Sequence, residues 1–580
     1  MAPNAANMVL AQDMKSGVIP PLVTATDRAA NGFLSAVLGH FKAKPDEIFC
    51  RFLRGGQVEE LRWRDIEGSA AAFVGAYRAL DLPAGALILI FLRHVPQLYG
   101  SFLGAMLGGF RPSFMPCSSP KQDPRLYWSS HSTLFERIRP AVVVADRATL
   151  DEMQTNGLDL SRSRLVAIED VVPAQPAWSI PGEGDIGLLQ HSSGTTGLKK
   201  GVALSYRAIA AQLDSYAASL EVQDNDVIVS WLPLYHDMGL IACFMLPVYR
   251  GIPVVHLDPF EWLARPGSLF DCITRWRGTL AWLPNFAFEY LAAMAGRDAA
   301  KYQLSTMRAF INCSETCRPE SFDRFAAAFA ASGLAVEALQ CCYAMAETVY
   351  AVTQTRIGRS PRRIWCRRES LERGCHVDVG SKGEGYRELV ECGGPIAGLT
   401  VGIVDQDRKP LPDGQVGEIA VSGDFLFSNY NEEPERTRGQ LRDGLFFTRD
   451  LGFVQDGAVY VLGRIDDLII VNGRNIYAHE IEDLMGKIGG LKPGRSVAVP
   501  LLDERNGTQG LVVIAEKLPD TTRSEAELRT EVLNRIFSVV NVMPKSVHLV
   551  DEGWLVKTTS GKISREMNAK KIASQLATNR

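Results

Sequence analysis

The sequence predicts an α/β protein of at least two domains, and three observations carry this prediction. Its 580 residues exceed what one hydrophobic core usually accommodates. Helical and strand patterns alternate along residues 28–180 and again after residue 205, which favours a largely parallel sheet. Glycine turns separate short strands from residue 394, and strands mixed with a helix follow residue 475. We therefore expect a large N-terminal domain with mixed or parallel sheets plus a β subdomain, and a small α+β C-terminal domain.

The first section predicts its elements from the spacing of apolar residues. Apolar side chains recur at helical spacing over residues 33–41, and residues 70–80 are also typical of a helix. The apolar run 86–92 predicts a buried strand, because seven residues are too few to cross a membrane. Residues 94–110 contain no Asp, Glu, Lys or Arg, so we expect a helix packed in the core.

Later elements follow from similar patterns. Ser205 is a good N-cap, and Ile209, Leu213 and Tyr216 would line one face of the helix that follows it. A helix is expected over residues 525–540. Apolar or alternating runs predict further strands at 141–145, 227–229, 254–257, 280–283, 309–312, 401–404, 417–422, 496–502, 511–516 and 547–550.

Composition excludes several classes of protein. Hydrophobic content of 46% and charged content of 22% are typical of an ordinary globular chain. A net charge of −4 gives no electrostatic footprint for nucleic acid. The 11 cysteines include no Cys-x-x-Cys, which favours reduced thiols over disulfides or a zinc site. Residues 1–20 lack the basic start and apolar core of a secretory signal, so we expect a cytoplasmic protein.

One stretch, residues 186–201, carries the chemistry around which we interpret the rest. A short apolar strand is followed by four hydroxyl side chains and two glycines: Ser192, Ser193, Gly194, Thr195, Thr196 and Gly197. Glycines allow successive N–H groups to face one concavity, the hydroxyls add donors, and Lys200 adds positive charge. Such a stretch suits a polyphosphate, although a polar surface loop has the same composition. A Walker A loop is excluded, because its second glycine would fall at Lys199.

Residues 192–201 resemble the phosphate loop of the acyl-adenylate-forming (AMP-binding) superfamily, which includes acyl-CoA synthetases, peptide-synthetase adenylation domains and luciferases. That family usually has proline where this chain has Lys199. Further motifs in the family's order extend the resemblance over about residues 33–571. Residues 231–240, Trp-Leu-Pro-Leu-Tyr-His-Asp-Met-Gly-Leu, are most similar to the fatty acyl-AMP ligase branch.

Within that motif, the resemblance implies that His236 lines the point where a substrate carboxylate meets the α-phosphate. A histidine beside Asp237 is otherwise more often a structural pair. Residues 282–288 border the acyl tunnel in the related enzymes, which suits an apolar chain, whereas aromatic clusters are usually core. This segment contains no acidic residue to hold an ammonium group, which disfavours an amino acid as substrate.

Two turns resemble the adenine-binding motifs of the family. Ser314 and Glu315 fall in its adenine-edge motif, in which two neighbouring positions differ from the usual residues. Tyr343 and Glu347 match its Tyr-Gly-x-x-Glu motif, with alanine in place of glycine. The resemblance implies that Tyr343 stacks on adenine and that Glu347 coordinates Mg²⁺, a hard cation that prefers oxygen ligands.

Later motifs imply a ribose contact and a hinge. Asp450 has the position expected to accept hydrogen bonds from both ribose hydroxyls, although Arg449 replaces the glycine before it. Residues 463–475 resemble the hinge motif, in which Arg464 meets the nucleotide and Asp466 is the pivot. The resemblance thus implies an adenylation domain over 1–463 that binds ATP and the acyl group, and a small mobile domain over 464–580.

Lys562 matches the terminal catalytic lysine of the superfamily, in a stretch that would otherwise be a solvated basic tail. The implied reaction joins a fatty acid to the α-phosphate of ATP, forming acyl-AMP and pyrophosphate with Mg²⁺ as the second cofactor. Lys562 would bridge the two anions as a point charge. The acyl group would then pass to the phosphopantetheine thiol of an acyl carrier protein, or of a polyketide or peptide synthase carrier domain, after rotation about Asp466.

Seven arginines crowd residues 356–373. Their density favours a solvated basic loop. The alternative is that this segment resembles the insertion of fatty acyl-AMP ligases, which docks against the N-terminal domain and disfavours free CoA.

Three other functions remain open on the sequence alone. An acyl-CoA synthetase would share the first step and use CoA as acceptor. Amino-acid adenylation is disfavoured by residues 282–288, as stated above. A nucleotide-binding regulator without catalysis is consistent with the substituted motif positions, but the presence of Glu347, Asp450 and Lys562 argues against it.

Overall fold

A computed structural model describes residues 31–118, 124–193, 199–471, 474–503, 508–540, 542–557 and 563–578. Among the predicted site residues, Gly194, Thr195, Thr196, Gly197 and Lys562 lie outside these ranges, and the predictions made for them stay predictions.

The largest sheet of the described residues has nine strands, and its central strands are parallel. Only its outer pairs are antiparallel. In order across the sheet, the strands are β18 (Gly394–Pro395), β14 (Ala351–Gln354), β13 (Leu339–Ala344), β12 (Ala309–Asn312), β11 (Leu280–Leu283), β9 (Ile228–Ser230), β10 (Val254–Leu257), β1 (Ile48–Arg54) and β2 (Gln57–Arg62).

Two smaller sheets complete the N-terminal part. A four-stranded parallel sheet contains β4 (Arg111–Phe114), β3 (Leu87–Phe91), β5 (Val142–Ala145) and β6 (Arg164–Ala167). An antiparallel three-stranded sheet contains β22 (Asn429–Tyr430), β8 (Lys199–Ser205) and β7 (Ile186–Ser193). The parallel and mixed sheets predicted for the N-terminal domain are thus confirmed. They were predictable because buried parallel strands come from continuous apolar runs.

The predicted β subdomain is an antiparallel sheet of six strands. Its strands are β20 (Pro410–Leu411), β19 (Leu399–Val404), β21 (Gly417–Gly423), β24 (Leu445–Gln455), β23 (Leu441–Arg442) and β25 (Ala458–Arg464), which pairs with β24.

The arginine-rich segment is a solvated loop only in part: five of its seven arginines are exposed, as the favoured prediction expected, but residues 363–367 form a strand. It contributes a strand to a three-stranded antiparallel sheet of β16 (Val379–Gly380), β15 (Arg363–Arg367) and β17 (Tyr386–Val390). Its arginines pair with carboxylates instead of facing only water: Arg363 with Asp323 at 2.8 Å, and Arg368 with Glu480 at 3.3 Å. Charge density alone did not indicate these partners, because they are distant in sequence.

The C-terminal part is α+β, as predicted. It contains a hairpin of β26 (Leu468–Val471) and β27 (Arg474–Tyr477), and a sheet of β28 (Leu491–Asp503), β29 (Thr508–Lys517) and β30 (Ser546–Val550). A hydrophobic cluster of its own runs from Ile469 to Leu549. The boundary predicted between residues 463 and 464 lies at the end of β25 and stays a prediction.

Helices cover the sheets of both parts. Ser205 caps its helix as predicted, since its side chain accepts a hydrogen bond from the Ala208 amide at 3.2 Å. The helices are α1 (Gly32–Ala43), α2 (Trp63–Arg78), α3 (Gln97–Leu107), α4 (Pro124–Ile138), α5 (Arg147–Thr155), α6 (Tyr206–Ser219), α7 (Leu246–Arg250), α8 (Pro259–Ala264), α9 (Ser268–Trp276), α10 (Asn285–Ala295), α11 (Pro319–Phe329), α12 (Pro434–Gln440), α13 (Ala478–Met485), α14 (Glu525–Val540) and α15 (Arg565–Thr578), with a π-helix at Met238–Met245.

The core confirms the prediction for residues 94–110. Within them, α3 is buried from Leu98 to Leu107 and packs against α2. Over the described ranges, no helix combines the length and apolar character needed to cross a membrane. The cysteines are free thiols, and no group of three or more potential metal ligands occurs among the described residues.

Candidate active site

The predicted phosphate stretch starts on an antiparallel hairpin. Strand β7 ends at Ser193 and β8 begins at Lys199, so Ser192 lies opposite Lys200 in the register. On β8, a Cβ atom added at Gly201 would lie 3.0 Å from His191 Nε2. Strand β8 carries Lys200, and the next position, Gly201, leaves little room for a side chain.

Lys200, Glu347 and Tyr430 form a buried cluster beside that hairpin. Glu347 lies in a short turn, Ala346–Thr348, directly after β13, and its carboxylate pairs with the Lys200 ammonium. The Tyr430 hydroxyl donates to Glu347 Oε1 at 2.7 Å, and the ammonium also lies 4.9 Å from the centre of the Tyr430 ring. Only 12% of the Lys200 side chain and 7% of the Glu347 side chain are exposed.

The electrostatics of this cluster keep Glu347 ionised. Burial alone would raise the pKa of Glu347, but the Lys200 ammonium and the hydroxyl of Tyr430 outweigh it and bring the pKa to about 2. The residue predicted for Mg²⁺ and the lysine predicted for phosphate thus neutralise each other in this structure.

A second cluster joins Tyr343, Asp450 and Arg464, three residues predicted to contact the nucleotide. The Tyr343 hydroxyl donates to Asp450 Oδ2 at 2.6 Å, and Arg464 Nε donates to Asp450 Oδ1 at 3.1 Å. Burial raises the pKa of Asp450, although Arg464 and Tyr343 partly oppose the shift. The charge on Glu347 adds to the rise, so the two carboxylates interact electrostatically.

A β-bulge aims Asp450 into this cluster. The register between β21 and β24 shifts where Thr448, Arg449 and Asp450 pass Ile419. Thr448 Oγ1 donates to the Ile419 carbonyl at 2.8 Å and accepts from the Asp450 amide at 3.0 Å. Bulges of this kind redirect side chains near functional sites, and here the Asp450 carboxylate is buried while Arg449 turns outward.

His236 and the Ser314 turn lie close to each other. Asp237 follows His236 and accepts a hydrogen bond from the Met238 amide at 2.8 Å, where the π-helix begins. The Ser314 hydroxyl donates to Met238 Sδ at 3.9 Å, so the predicted adenine-edge turn contacts the residue two positions after His236. Glu315 accepts from the Phe286 amide at 2.9 Å, which gives it a helix-capping role at α10.

The predicted pivot, Asp466, pairs with Arg449. Arg449 Nε and Nη2 lie 3.1 and 2.5 Å from the two oxygens of the Asp466 carboxylate. This contact and the hydroxyl of Tyr430 are the main features that sequence reasoning missed. The replaced glycine at position 449 was a usable signal, whereas nothing in the sequence around Tyr430 singled it out.

Comparison with known proteins also indicates an AMP-binding enzyme. The family model described as AMP-binding enzyme matches residues 40–431. The Moorena producens medium-chain-fatty-acid–[acyl-carrier-protein] ligase JamA is 28% identical over 543 residues, covering 89% of this chain and 90% of that protein. A Mycobacterium tuberculosis protein named putative fatty-acid–CoA ligase fadD25 is 30% identical over 462 residues, covering 73% of each.

A solved structure has a similar fold. The fatty acyl-adenylate ligase from Legionella pneumophila, in complex with acyl adenylate and pyrophosphate, is 26% identical. The superposition has a TM-score of 0.73 and covers 94% of this chain and 96% of that one.

Proposed function

Because this chain belongs to the AMP-binding enzyme family, we propose that it activates a fatty acid with ATP and passes it to an acyl carrier protein. The first product is acyl-AMP, formed with release of pyrophosphate, and the second is a thioester on the phosphopantetheine thiol. The relative JamA is named for this combination of substrate and acceptor.

One observation carries the proposal most directly. Tyr343, Asp450 and Arg464 come from separate strands and a domain boundary, yet they meet in one hydrogen-bonded cluster next to Glu347. In the proposal, Asp450 accepts hydrogen bonds from ribose, and the ring of Tyr343 stacks on adenine. Such preorganisation favours a nucleotide over a simple phosphate.

The Glu347 carboxylate suits a divalent cation. It is buried and ionised, and the Lys200 ammonium already occupies the position of a positive charge against it. Since no cluster of three ligands is present in the described part of the chain, the nucleotide phosphates and water would supply the other ligands. Mg²⁺ bound there would offset phosphate charge, while Lys200, once released, is free to bind the phosphates.

The remaining predicted residues have roles in the same proposal. Ser192, Ser193 and residues 194–197 hold the departing pyrophosphate, and His236 lines the carboxylate site. Lys562 bridges the carboxylate and the α-phosphate, and rotation about Asp466 then removes it before the thiol attacks. The Asp466 contact with Arg449 supports a hinge at this point, because the ion pair links the β subdomain to the start of the C-terminal part.

The alternative acceptor is CoA. It is favoured by the relative named putative fatty-acid–CoA ligase, which is 30% identical. The arginine-rich sheet favours the carrier protein through one contact: Arg363 pairs with Asp323 of α11, as expected of an insertion that docks against the N-terminal domain, whereas Arg368 pairs with Glu480 of the C-terminal part.

A two-stage experiment tests the proposal. Pyrophosphate release is measured with ATP and Mg²⁺ across fatty acids of increasing length, with aryl acids and amino acids as controls. The active acid is then offered to CoA and to a phosphopantetheinylated carrier protein, and thioesters are identified by mass spectrometry. Fatty acids should release pyrophosphate and load the carrier. No release with any acid contradicts adenylation, and loading of CoA alone favours the alternative.

A further inference from the structure

Arg449 stands where the family resemblance expects glycine, and its backbone has the conformation that glycine favours. Its φ is +62°, in the left-handed region that costs a side-chain-bearing residue free energy. The Arg449 amide donates to Glu418 Oε1 at 2.9 Å, which holds this strained residue in the bulge. A residue kept in such a conformation is a reason to look for what its side chain does.

The side chain of Arg449 reaches the predicted pivot. Its guanidinium contacts both oxygens of Asp466 in the fork-to-fork geometry that gives arginine–carboxylate pairs their specificity. The Arg449 hydrogen bonds, followed by the charges of Arg449 and Arg464, lower the pKa of Asp466. Asp466 lies in the one-turn helix Ile465–Asp467, directly after β25 ends at Arg464.

The other ion pairs between the two parts act on residues other than Asp466: Arg464, two residues before it, pairs with Asp450, and further pairs lie on α13. Glu480 at the start of α13 pairs with Arg387 and Arg368, and Asp483 on the same helix pairs with Arg318. These pairs attach the body of the C-terminal part to the N-terminal part. Of the inter-part ion pairs among the described residues, the Arg449 pair is therefore the one that acts on the predicted pivot residue itself.

We propose that Arg449 is a positioning residue whose bidentate pair with Asp466 holds the pivot in the arrangement of this structure and so sets the balance between adenylation and acyl transfer. The proposal rests on the proposed function, in which the two half-reactions use different orientations of the C-terminal part. Rotation about Asp466 must change its backbone, and a carboxylate gripped at both oxygens resists that change. Glycine at position 449 cannot make this contact.

The test compares four variants of the full chain. Arg449→Gly restores the family's residue, Arg449→Gln removes the charge, Asp466→Asn removes its partner, and Arg449→Gln/Asp466→Asn combines the last two. Arg442→Gln is the matched control: Arg442 is an exposed arginine of the same subdomain that donates to the Arg438 carbonyl. For each, pyrophosphate release and transfer from supplied acyl-AMP to a carrier protein are measured separately.

We expect the ratio of the two half-reaction rates to change by roughly two- to fivefold, the range of exposed ion pairs, because 44% of the Arg449 side chain and 35% of that of Asp466 are exposed. The two Arg449 variants and Asp466→Asn should shift the ratio in the same direction. The double variant should shift it no further than either single change, and Arg442→Gln should leave it unchanged.

Hydrogen exchange provides a readout that does not need turnover. Backbone amides of residues 464–468 should exchange faster in Arg449→Gln than in wild type, and not in Arg442→Gln. The proposal would be overturned if Arg449→Gln had the same half-reaction ratio and the same amide exchange as wild type. It would also be overturned if the double variant shifted the ratio by the sum of the two single shifts. Absence of pyrophosphate release by the wild type would instead contradict the proposed function, and the exchange result would still decide whether Arg449 restrains the pivot.

Discussion

Glu347 and Asp450 are two buried carboxylates with the same kinds of partner and opposite pKa shifts. Each accepts a hydrogen bond from a tyrosine hydroxyl, and each faces one cation. The pKa of Glu347 is lowered to about 2, whereas that of Asp450 is raised. The difference lies in the cation.

Lys200 is almost fully buried against Glu347, while 45% of the Arg464 side chain is exposed and its Nε lies 3.1 Å from Asp450. A buried charge is screened less by water, so Lys200 offsets the burial of its partner more completely. The ionised Glu347 also disfavours a second negative charge at Asp450. One carboxylate is thereby fixed as an anion suited to a cation, and the other as a hydrogen-bond acceptor.

The largest expected difference comes from removing the anion. Glu347→Gln should lower pyrophosphate release by roughly 100-fold or more, because charge stabilisation at the phosphates is lost. It should also lower the free energy of unfolding by about 3 kcal/mol, since Lys200 becomes a buried charge without its partner. Pyrophosphate assays and urea unfolding measure the two effects.

A double variant separates these two effects of Glu347. Lys200→Met combined with Glu347→Gln removes both charges, so it should regain part of the lost stability without regaining activity. A Glu347→Gln protein as stable as wild type would show that the pair does not stabilise the fold.

The pH dependence of stability should differ in sign between the two carboxylates. The lowered pKa of Glu347 contributes about 3 kcal/mol above its unfolded pKa of 4.5, and this is lost as pH falls toward 2. The raised pKa of Asp450 contributes stability at low pH that is lost as pH rises through its folded pKa. Urea unfolding between pH 7 and 2 should therefore show Glu347→Gln becoming less stable relative to wild type as pH rises, with most of the change below pH 4.5, and Asp450→Asn becoming more stable relative to wild type. If the unfolding free energies of both variants ran parallel to that of wild type over this pH range, the predicted difference in sign would be contradicted.

Asp450→Asn should mainly weaken nucleotide binding. We expect the KM for ATP to rise roughly tenfold, the effect of losing about 1.4 kcal/mol of charge-assisted hydrogen bonding. Pyrophosphate release at varied ATP measures this. Wild type should discriminate against 2′-deoxy-ATP and Asp450→Asn should do so less; equal use of both nucleotides by wild type would contradict a ribose contact.

Smaller changes in the free energy of unfolding than that of Glu347→Gln should come from the two tyrosines. Tyr430→Phe removes a donor to a fully ionised carboxylate and should cost about 1.5 kcal/mol of unfolding free energy. Tyr343→Phe removes a donor to Asp450 and should cost about 1 kcal/mol or less of unfolding free energy. The cost is smaller because the raised pKa of Asp450 makes its charged form, which the hydroxyl stabilises, less favoured than that of Glu347. Urea unfolding of both variants side by side, at one pH, gives the comparison; a costlier Tyr343→Phe would reverse it.

The sequence predicted much of the fold because the central strands are continuous apolar runs. β10 (Val254–Leu257), β11 (Leu280–Leu283) and β12 (Ala309–Asn312) occupy the predicted residues. The strand within the arginine-rich segment was not predicted, because charge density does not indicate pairing partners. Arg363 pairs with Asp323 and also lies in a strand.

The candidate site was predictable only where a motif carried it. Tyr343, Asp450 and Arg464 were found by resemblance, and the structure brings them together although Tyr343 and Asp450 are 107 residues apart. Tyr430 was missed because β22 is a two-residue strand without any pattern, and its contact with Glu347 spans 83 residues. Pairings of this kind depend on the completed fold.

The mutual neutralisation of Lys200 and Glu347 has a consequence for how the proposed substrate enters. The nucleotide meets an ammonium group that is already paired with a carboxylate. Its arrival with Mg²⁺ would exchange counter-ions, because the metal would replace Lys200 at Glu347 and a phosphate would replace Glu347 at Lys200. The charges of Lys200 and Glu347 sum to zero before the nucleotide arrives, so this pair has no net positive charge to attract the magnesium nucleotide over distance. Affinity for the magnesium nucleotide should thus respond only weakly to added salt, unlike that of a site built from uncompensated lysines.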